Sequence, residues 1–119
     1  MILVDTSVWI DHLHRADQEL VESLGRGLVA THPHVIGELA LGTLRDRDAV
    51  LDSMQRLLSV TVARDRDVRR LVEDVPLWGK GLTLVDAHLL AATLVTPGCV
   101  LWTRDRRLAA AARDLGVAR

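Results

Sequence analysis

Four carboxylates stand where folding alone gives them little reason to be: Asp5, Glu38, Asp86 and Asp105. Asp5 closes the apolar run Met1-Ile2-Leu3-Val4, and Asp105 comes just after Cys99-Val100-Leu101-Trp102. Glu38 interrupts Val35-Ile36-Gly37-Glu38-Leu39-Ala40-Leu41. Asp86 has Leu89, Leu90 and Thr93 as its helical neighbours at plus three, four and seven. An acid on so apolar a face is costly unless it is paired, protonated or bound to a cation. Each also has a local structural reading. Asp5 suits a helix cap, and Thr83-x-x-Asp86 has the spacing of a capping box. Asp105 could pair with Arg104 or Arg106 in a turn, and Glu38 could meet an Arg. Jointly they suggest other chemistry. Like charges gathered in one crevice repel, and a hard divalent ion, Mg²⁺ or Mn²⁺, relieves that repulsion through carboxylate and water oxygens. Thr6 and Ser7, at a helix start, could hold a ligating water or a phosphate oxygen. Thr103, two residues before Asp105, could orient that carboxylate or touch substrate.

Positioning such acids takes strands and helices in alternation. Short apolar runs predict strands at Met1–Asp5, Leu28–Thr31, Val60–Ala63 and Cys99–Trp102. Helical spacing predicts helices over Ser7–His14, Ala16–Leu24, Val35–Leu44 (opened by Pro33), Asp48–Leu58, Asp65–Val75, Thr83–Thr96 and Arg106–Leu115. Strands alternating with helices imply an α/β fold with a parallel sheet covered on both faces. Sites in such sheets form beyond the carboxyl ends of the strands. Asp5 and Asp105 both fall at such ends, so neighbouring parallel strands would aim them into one crevice.

The remaining composition narrows the field. A chain of 119 residues fits one domain, 1–119, with no linker or repeat dividing it. Aromatics are limited to three Trp, so there is no row of rings on which unpaired bases could stack. One cysteine, Cys99, excludes an internal disulfide framework. No apolar run approaches a membrane span, and the N-terminus lacks the basic lead of a signal peptide. A cytoplasmic protein with no membrane partner is expected. Net charge is −1, without the basic excess common among nucleic-acid binders, yet only one of the 15 basic residues, Lys80, is not Arg. The groups Arg64/Arg66/Arg69/Arg70 and Arg104/Arg106/Arg107 read as solvated faces, the second of them flanking Asp105 and able to steer a polyanion. His32 and His34 have the chemistry for zinc, but no further His or Cys at usual spacing completes a site. His88, two residues from Asp86, faces elsewhere on its helix and reads as structural.

With these residues in view, the chain resembles the PIN-domain family, and within it the VapC-type toxin ribonucleases. The resemblance rests on Asp5-Thr6-Ser7-Val8-Trp9-Ile10-Asp11 after the first strand, Glu38 about thirty residues on, the segment Gly81 to Ala92 around Asp86, and Val100-Leu101-Trp102-Thr103-Arg104-Asp105. It implies a three-layer α/β/α sandwich with a mainly parallel central sheet. It implies an acidic pocket of Asp5, Glu38, Asp86 and Asp105 holding Mg²⁺ or Mn²⁺, with Thr6 and Thr103 as lesser contributors. It further implies an endoribonuclease that forms a homodimer and is held inactive by a cognate VapB-like antitoxin. Arg106-Arg107-Leu108 stands where many relatives carry an aromatic.

The mechanism that the resemblance implies for these acids is hydrolysis of an RNA phosphodiester by a metal-activated water. Two other classes remain open on sequence: a Mg²⁺-dependent phosphohydrolase of small phosphate esters, and a non-catalytic α/β binding module. The acid pattern of haloacid-dehalogenase-like enzymes is missing, because position seven is Ser.

Overall fold

A computed structural model describes residues 1–119. Along the chain run β1 (Ile2–Val4), α1 (Thr6–His14), α2 (Gln18–Gly25), β2 (Val29–Thr31), α3 (Pro33–Leu41), α4 (Arg47–Gln55), β3 (Leu58–Ser59), α5 (Asp65–Asp74), α6 (Leu84–Val95), β4 (Val100–Trp102) and α7 (Arg106–Asp114). The strands form one sheet in the order β3-β2-β1-β4. Every pairing is parallel, with Ile2 opposite both Val29 and Val100, and Ala30 opposite Leu58. Helices flank this sheet, the α/β/α arrangement expected from the alternating pattern.

The strand order fixes where a site can form. From β1 the chain steps outward to β2 and then β3, and returns to place β4 on the other side of β1. Right-handed crossovers put the connections made before and after that return on opposite faces. The winding therefore reverses between β1 and β4, and a crevice opens past their carboxyl ends.

The core that holds this frame is aliphatic. Leu3, Val4, Ala30 and Leu101 of the sheet are buried, together with Val8, Leu20, Val35, Leu89, Leu90 and Leu108 of the helices. Each large side chain removed from water contributes about 1.5–3 kcal/mol before entropy is counted. Helix α6 is buried continuously from Ala87 to Thr93, so it lies inside the fold rather than on its surface. The free edge of β4 is covered by the C-terminus: Leu101 donates its N–H to the Val117 carbonyl, and Arg119 donates to that of Leu101.

One expected strand is displaced. The run Val60–Ala63 is not β-paired, and β3 is Leu58–Ser59 instead. Val60 still donates to the Thr31 carbonyl, but the next N–H, that of Thr61, is taken by the Thr96 hydroxyl. That side-chain bond draws the chain off the sheet.

Candidate active site

Asp5 follows β1 directly, and its N–H closes the last rung by donating to the Trp102 carbonyl. It occupies the N-cap position of α1, yet its side chain makes no capping bond. Its Oδ2 instead accepts two hydroxyls at 2.7 Å, from Ser7 and Thr103. Those hydroxyls are held in turn. Ser7 Oγ accepts the N–H of Arg104, and Thr103 Oγ1 accepts the N–H of Asp105. The start of α1 and the end of β4 are thus stitched around one oxygen of a carboxylate that is only 7% exposed. Oδ1 has no hydrogen-bond partner.

Asp86 and Asp105 each divide their two oxygens in the same way. Asp86 Oδ2 accepts the Thr83 N–H while Thr83 Oγ1 accepts the Asp86 N–H, a complete capping box. Asp105 Oδ1 caps α7 by accepting from Arg107 and Leu108. The capping reading of Asp86 is therefore correct, whereas Asp105 caps α7 in place of the expected pairing with Arg104 or Arg106; capping consumes one oxygen of each. The other oxygen is uncommitted. Burial pushes the Asp86 carboxyl upward from its usual pKa; the Thr83 N–H opposes this, and the negative charges of Asp5 and Asp105 push it further. Asp86 therefore lies within electrostatic reach of both Asp5 and Asp105. Glu38 joins by a different route, accepting the Thr6 hydroxyl at 2.7 Å.

Two expectations about charge need correction. Glu38 and Asp105 are exposed, so the cost of an acid on an apolar face applies to Asp5 and Asp86 alone. Helix α3 buries Val35 and Leu39 and turns Glu38 outward. Arg104 does not serve Asp105. It pairs with Asp11, with Nη1 2.6 Å from Oδ2, and with Asp17. None of Asp5, Glu38, Asp86 and Asp105 has a basic side chain within ion-pair distance; every salt bridge in the molecule lies elsewhere.

This donor set fits a hard divalent cation. All the free atoms are carboxylate oxygens, one of them on Asp86, whose pKa burial raises and the neighbouring acids raise further, and Mg²⁺ keeps several waters when protein carboxylates bind it. No group of three acidic, His or Cys side chains is close enough to ligate one ion directly. The histidines do gather, in a way their spacing along the chain does not reveal. The ring centroids of His34 and His88 are 4.7 Å apart, and those of His32 and His34 4.8 Å. They still form no zinc site. His32 Nδ1 spends its lone pair on the His34 N–H, which leaves the proton on Nε2. Burial, with positive charge on His34 and His88 adding to it, lowers the His32 pKa to about 4.

Comparison with known proteins identifies the family. A family model described as PIN domain matches residues 2–114. Ribonuclease VapC32 of Mycobacterium tuberculosis, in strains CDC 1551 / Oshkosh and ATCC 25618 / H37Rv, is 52% identical over 118 residues, spanning 99% of this chain and 95% of the relative. The chain belongs to the PIN-domain family and stands with its VapC members.

Proposed function

We propose that this chain is a divalent-metal-dependent endoribonuclease, the toxin of a toxin–antitoxin pair, with Asp5, Glu38, Asp86 and Asp105 as its catalytic and metal-binding carboxylates. The observation that supports this reading is that Asp86 feels the charges of Asp5 and Asp105, which follow the carboxyl ends of β1 and β4, and that no basic side chain pairs with any of the three. The 52% identity to a protein named a ribonuclease supports RNA as the substrate.

Mg²⁺ or Mn²⁺ at these carboxylates would supply a more acidic water and offset charge on the phosphate oxygens. The chain's own residues do the rest. Ser7 and Thr103 clamp one oxygen of Asp5 and leave the other free to bind. The caps on Asp86 and Asp105 fix each carboxylate by one oxygen. Glu38, steadied at Oε1 by Thr6, keeps Oε2 to complete the ligand shell or to take a proton from the attacking water. No group is assigned to the ribose 2′-hydroxyl, so products carry 5′-phosphate and 3′-hydroxyl ends.

The working form is a homodimer of one PIN-like unit, residues 1–119, restrained by a VapB-like antitoxin in the cytoplasm. An apolar groove formed by Ile10, Leu13, Leu39 and Leu44 runs up to Glu38, which suits a segment that covers the acids. No helix is long and apolar enough to cross a membrane.

The test is an RNA cleavage assay run in EDTA and again after Mg²⁺ or Mn²⁺ is restored, with a small phosphate ester alongside. Metal-dependent RNA scission that Asp5→Asn abolishes is the expected result. Hydrolysis of the ester alone would favour the phosphohydrolase, and no turnover of either would favour the binding module.

A further inference from the structure

The outer flank of β4 is held by a short segment that returns from α7. Gly116, with a φ of +73°, ends that helix: its N–H donates to the Arg113 carbonyl, and the Val117 N–H donates to that of Ala112. This pair of bonds reverses the chain at a helix end, and the positive φ suits a residue without a Cβ. Val117, Ala118 and Arg119 then run parallel to β4, with Ala118 opposite Leu101. The backbone bonds on this flank stop at Leu101, which donates to Val117 and accepts from Arg119. They end one residue short of Trp102.

A side chain takes over where the ladder ends. The Arg119 guanidinium lies over the buried Trp102 ring, with Cζ 3.9 Å from the ring centroid. A cation in contact with an indole face is attracted by the negative charge of that face. Nη2 of Arg119 also donates to Glu19 Oε2 at 2.9 Å. That ion pair is exposed, and exposed pairs stabilise little, so the ring contact is the consequential one. Arg104 stands farther from the same ring, at 6.0 Å, and is committed to Asp11 and Asp17. The place of Trp102 matters because the acids are hung from it. Its carbonyl accepts the Asp5 N–H, and the next residue, Thr103, donates to Asp5 Oδ2 and accepts the Asp105 N–H.

We propose that Arg119 is a positioning residue for the acid centre: by lying on Trp102 it fixes the end of β4, and through Thr103 it holds Asp5 and Asp105 in the orientation that receives a cation. Arg119 itself touches neither cation nor substrate. Without its guanidinium, the ring loses the contact on that flank and the Thr103 hydroxyl loses its fixed place beside Asp5. The uncommitted oxygen of Asp5 is then less well aimed. This inference rests on the metal-dependent ribonuclease reading and adds to it a residue outside the four carboxylates.

The experiment compares the full chain as wild type, Arg119→Ala, Arg119→Lys and Glu19→Ala. Two quantities are read well below the melting temperature: Mn²⁺ affinity by titration calorimetry, and RNA cleavage resolved into kcat and KM. Arg119→Ala is expected to weaken Mn²⁺ binding and to lower kcat by roughly 5-fold each, less than for a group that bonds a ligating side chain directly, with KM for RNA unchanged. Arg119→Lys keeps a cation for the ring and should recover most of both losses. Glu19→Ala removes the ion pair but leaves the ring contact, so it should cost no more than about twofold in either quantity. An Arg119 that only stabilises the fold would lower Tm in EDTA while Mn²⁺ affinity and kcat stayed at wild-type values. That result overturns the proposal, as does a loss in Glu19→Ala equal to that in Arg119→Ala. Should Arg119→Ala be unfolded at the assay temperature, Arg119→Gln keeps the stem of the side chain without its charge and is judged by the same two quantities. The wild type separates the failures. Metal-dependent cleavage by the wild type with an unaltered Arg119→Ala overturns this role alone, whereas a wild type that neither binds Mn²⁺ nor cleaves RNA overturns the ribonuclease reading and this inference with it.

Discussion

Asp5 and Asp11 stand six residues apart, yet the groups of acids to which they belong meet opposite fates. Asp11 and Asp17 converge on Arg104, which bonds both, and Asp17 also caps α2 through the Leu20 N–H. Asp86 feels the negative charges of Asp5 and Asp105, and none of the three pairs with a cation of the protein. The contrast shows in their protonation. Asp17 is held below its usual pKa, first by the Leu20 N–H and then by Arg104, whereas burial raises Asp86 and its acidic neighbours raise it further. The fold thus satisfies charge where it needs rigidity and leaves it unsatisfied at the crevice between β1 and β4. An uncompensated cluster of that kind costs stability and calls for a ligand from outside.

The comparison can be broken by removing one acid from each group. The largest effect is expected for Asp5→Asn, which should cut metal-dependent RNA cleavage by at least ~100-fold. Gel-based end-mapping would measure it. Thr103→Val removes a donor to Asp5 and the acceptor for the Asp105 N–H. It should cost roughly 10-fold in cleavage with little change in RNA affinity, the mark of a side chain that acts through another. Arg104→Ala addresses the other group. It should lower Tm by about 5 °C with or without metal while leaving the melting response to Mg²⁺ unchanged.

The smallest effect, and the sharpest in sign, is on pH. Asp17 has a folded pKa below its unfolded value, so its contribution is full above 3.8 and is lost as pH falls through the folded pKa. Asp86 has a folded pKa above 3.8, so its contribution is full below that value and is lost as pH rises through the folded pKa. In chelator near pH 7, Asp17→Asn should therefore lower Tm. Asp86→Asn, whose amide oxygen can still accept the Thr83 N–H, should hold or raise it by a few degrees. Melting curves between pH 3 and 7 would show the two variants diverging.

How much of this was legible in the sequence depends on distance along the chain. Asp5 and Asp105 could be placed at strand ends because four apolar residues in a row mark a buried strand. Their shared crevice followed from the rule for parallel sheets. The capping of α6 by Thr83 and Asp86 was legible because it is local. The detachment of the chain after Val60 was not, because it depends on Thr96, thirty-five residues away. Nor was the diversion of Arg104 to Asp11 and Asp17, which spans about ninety residues. The exposure of Glu38 was missed for a subtler reason. Helix α3 is apolar nearly all round, so its sequence does not say which face is buried. Ser7, given only a general role at a helix start, bonds directly to Asp5 and could have been found from its spacing of two. The gathering of His34 and His88 needed the packing of α3 near α6, which no periodicity reports.

The central claim is that Asp5, Asp86 and Asp105 form a receptor for a divalent cation. Its most direct test is the thermal melt of wild type and Asp5→Asn in EDTA and in Mn²⁺. The account predicts that Mn²⁺ raises the Tm of the wild type, that Asp5→Asn melts at or above the wild type in EDTA, and that Mn²⁺ leaves this variant unmoved. An equal Mn²⁺ response in both proteins, or none in the wild type, would contradict it.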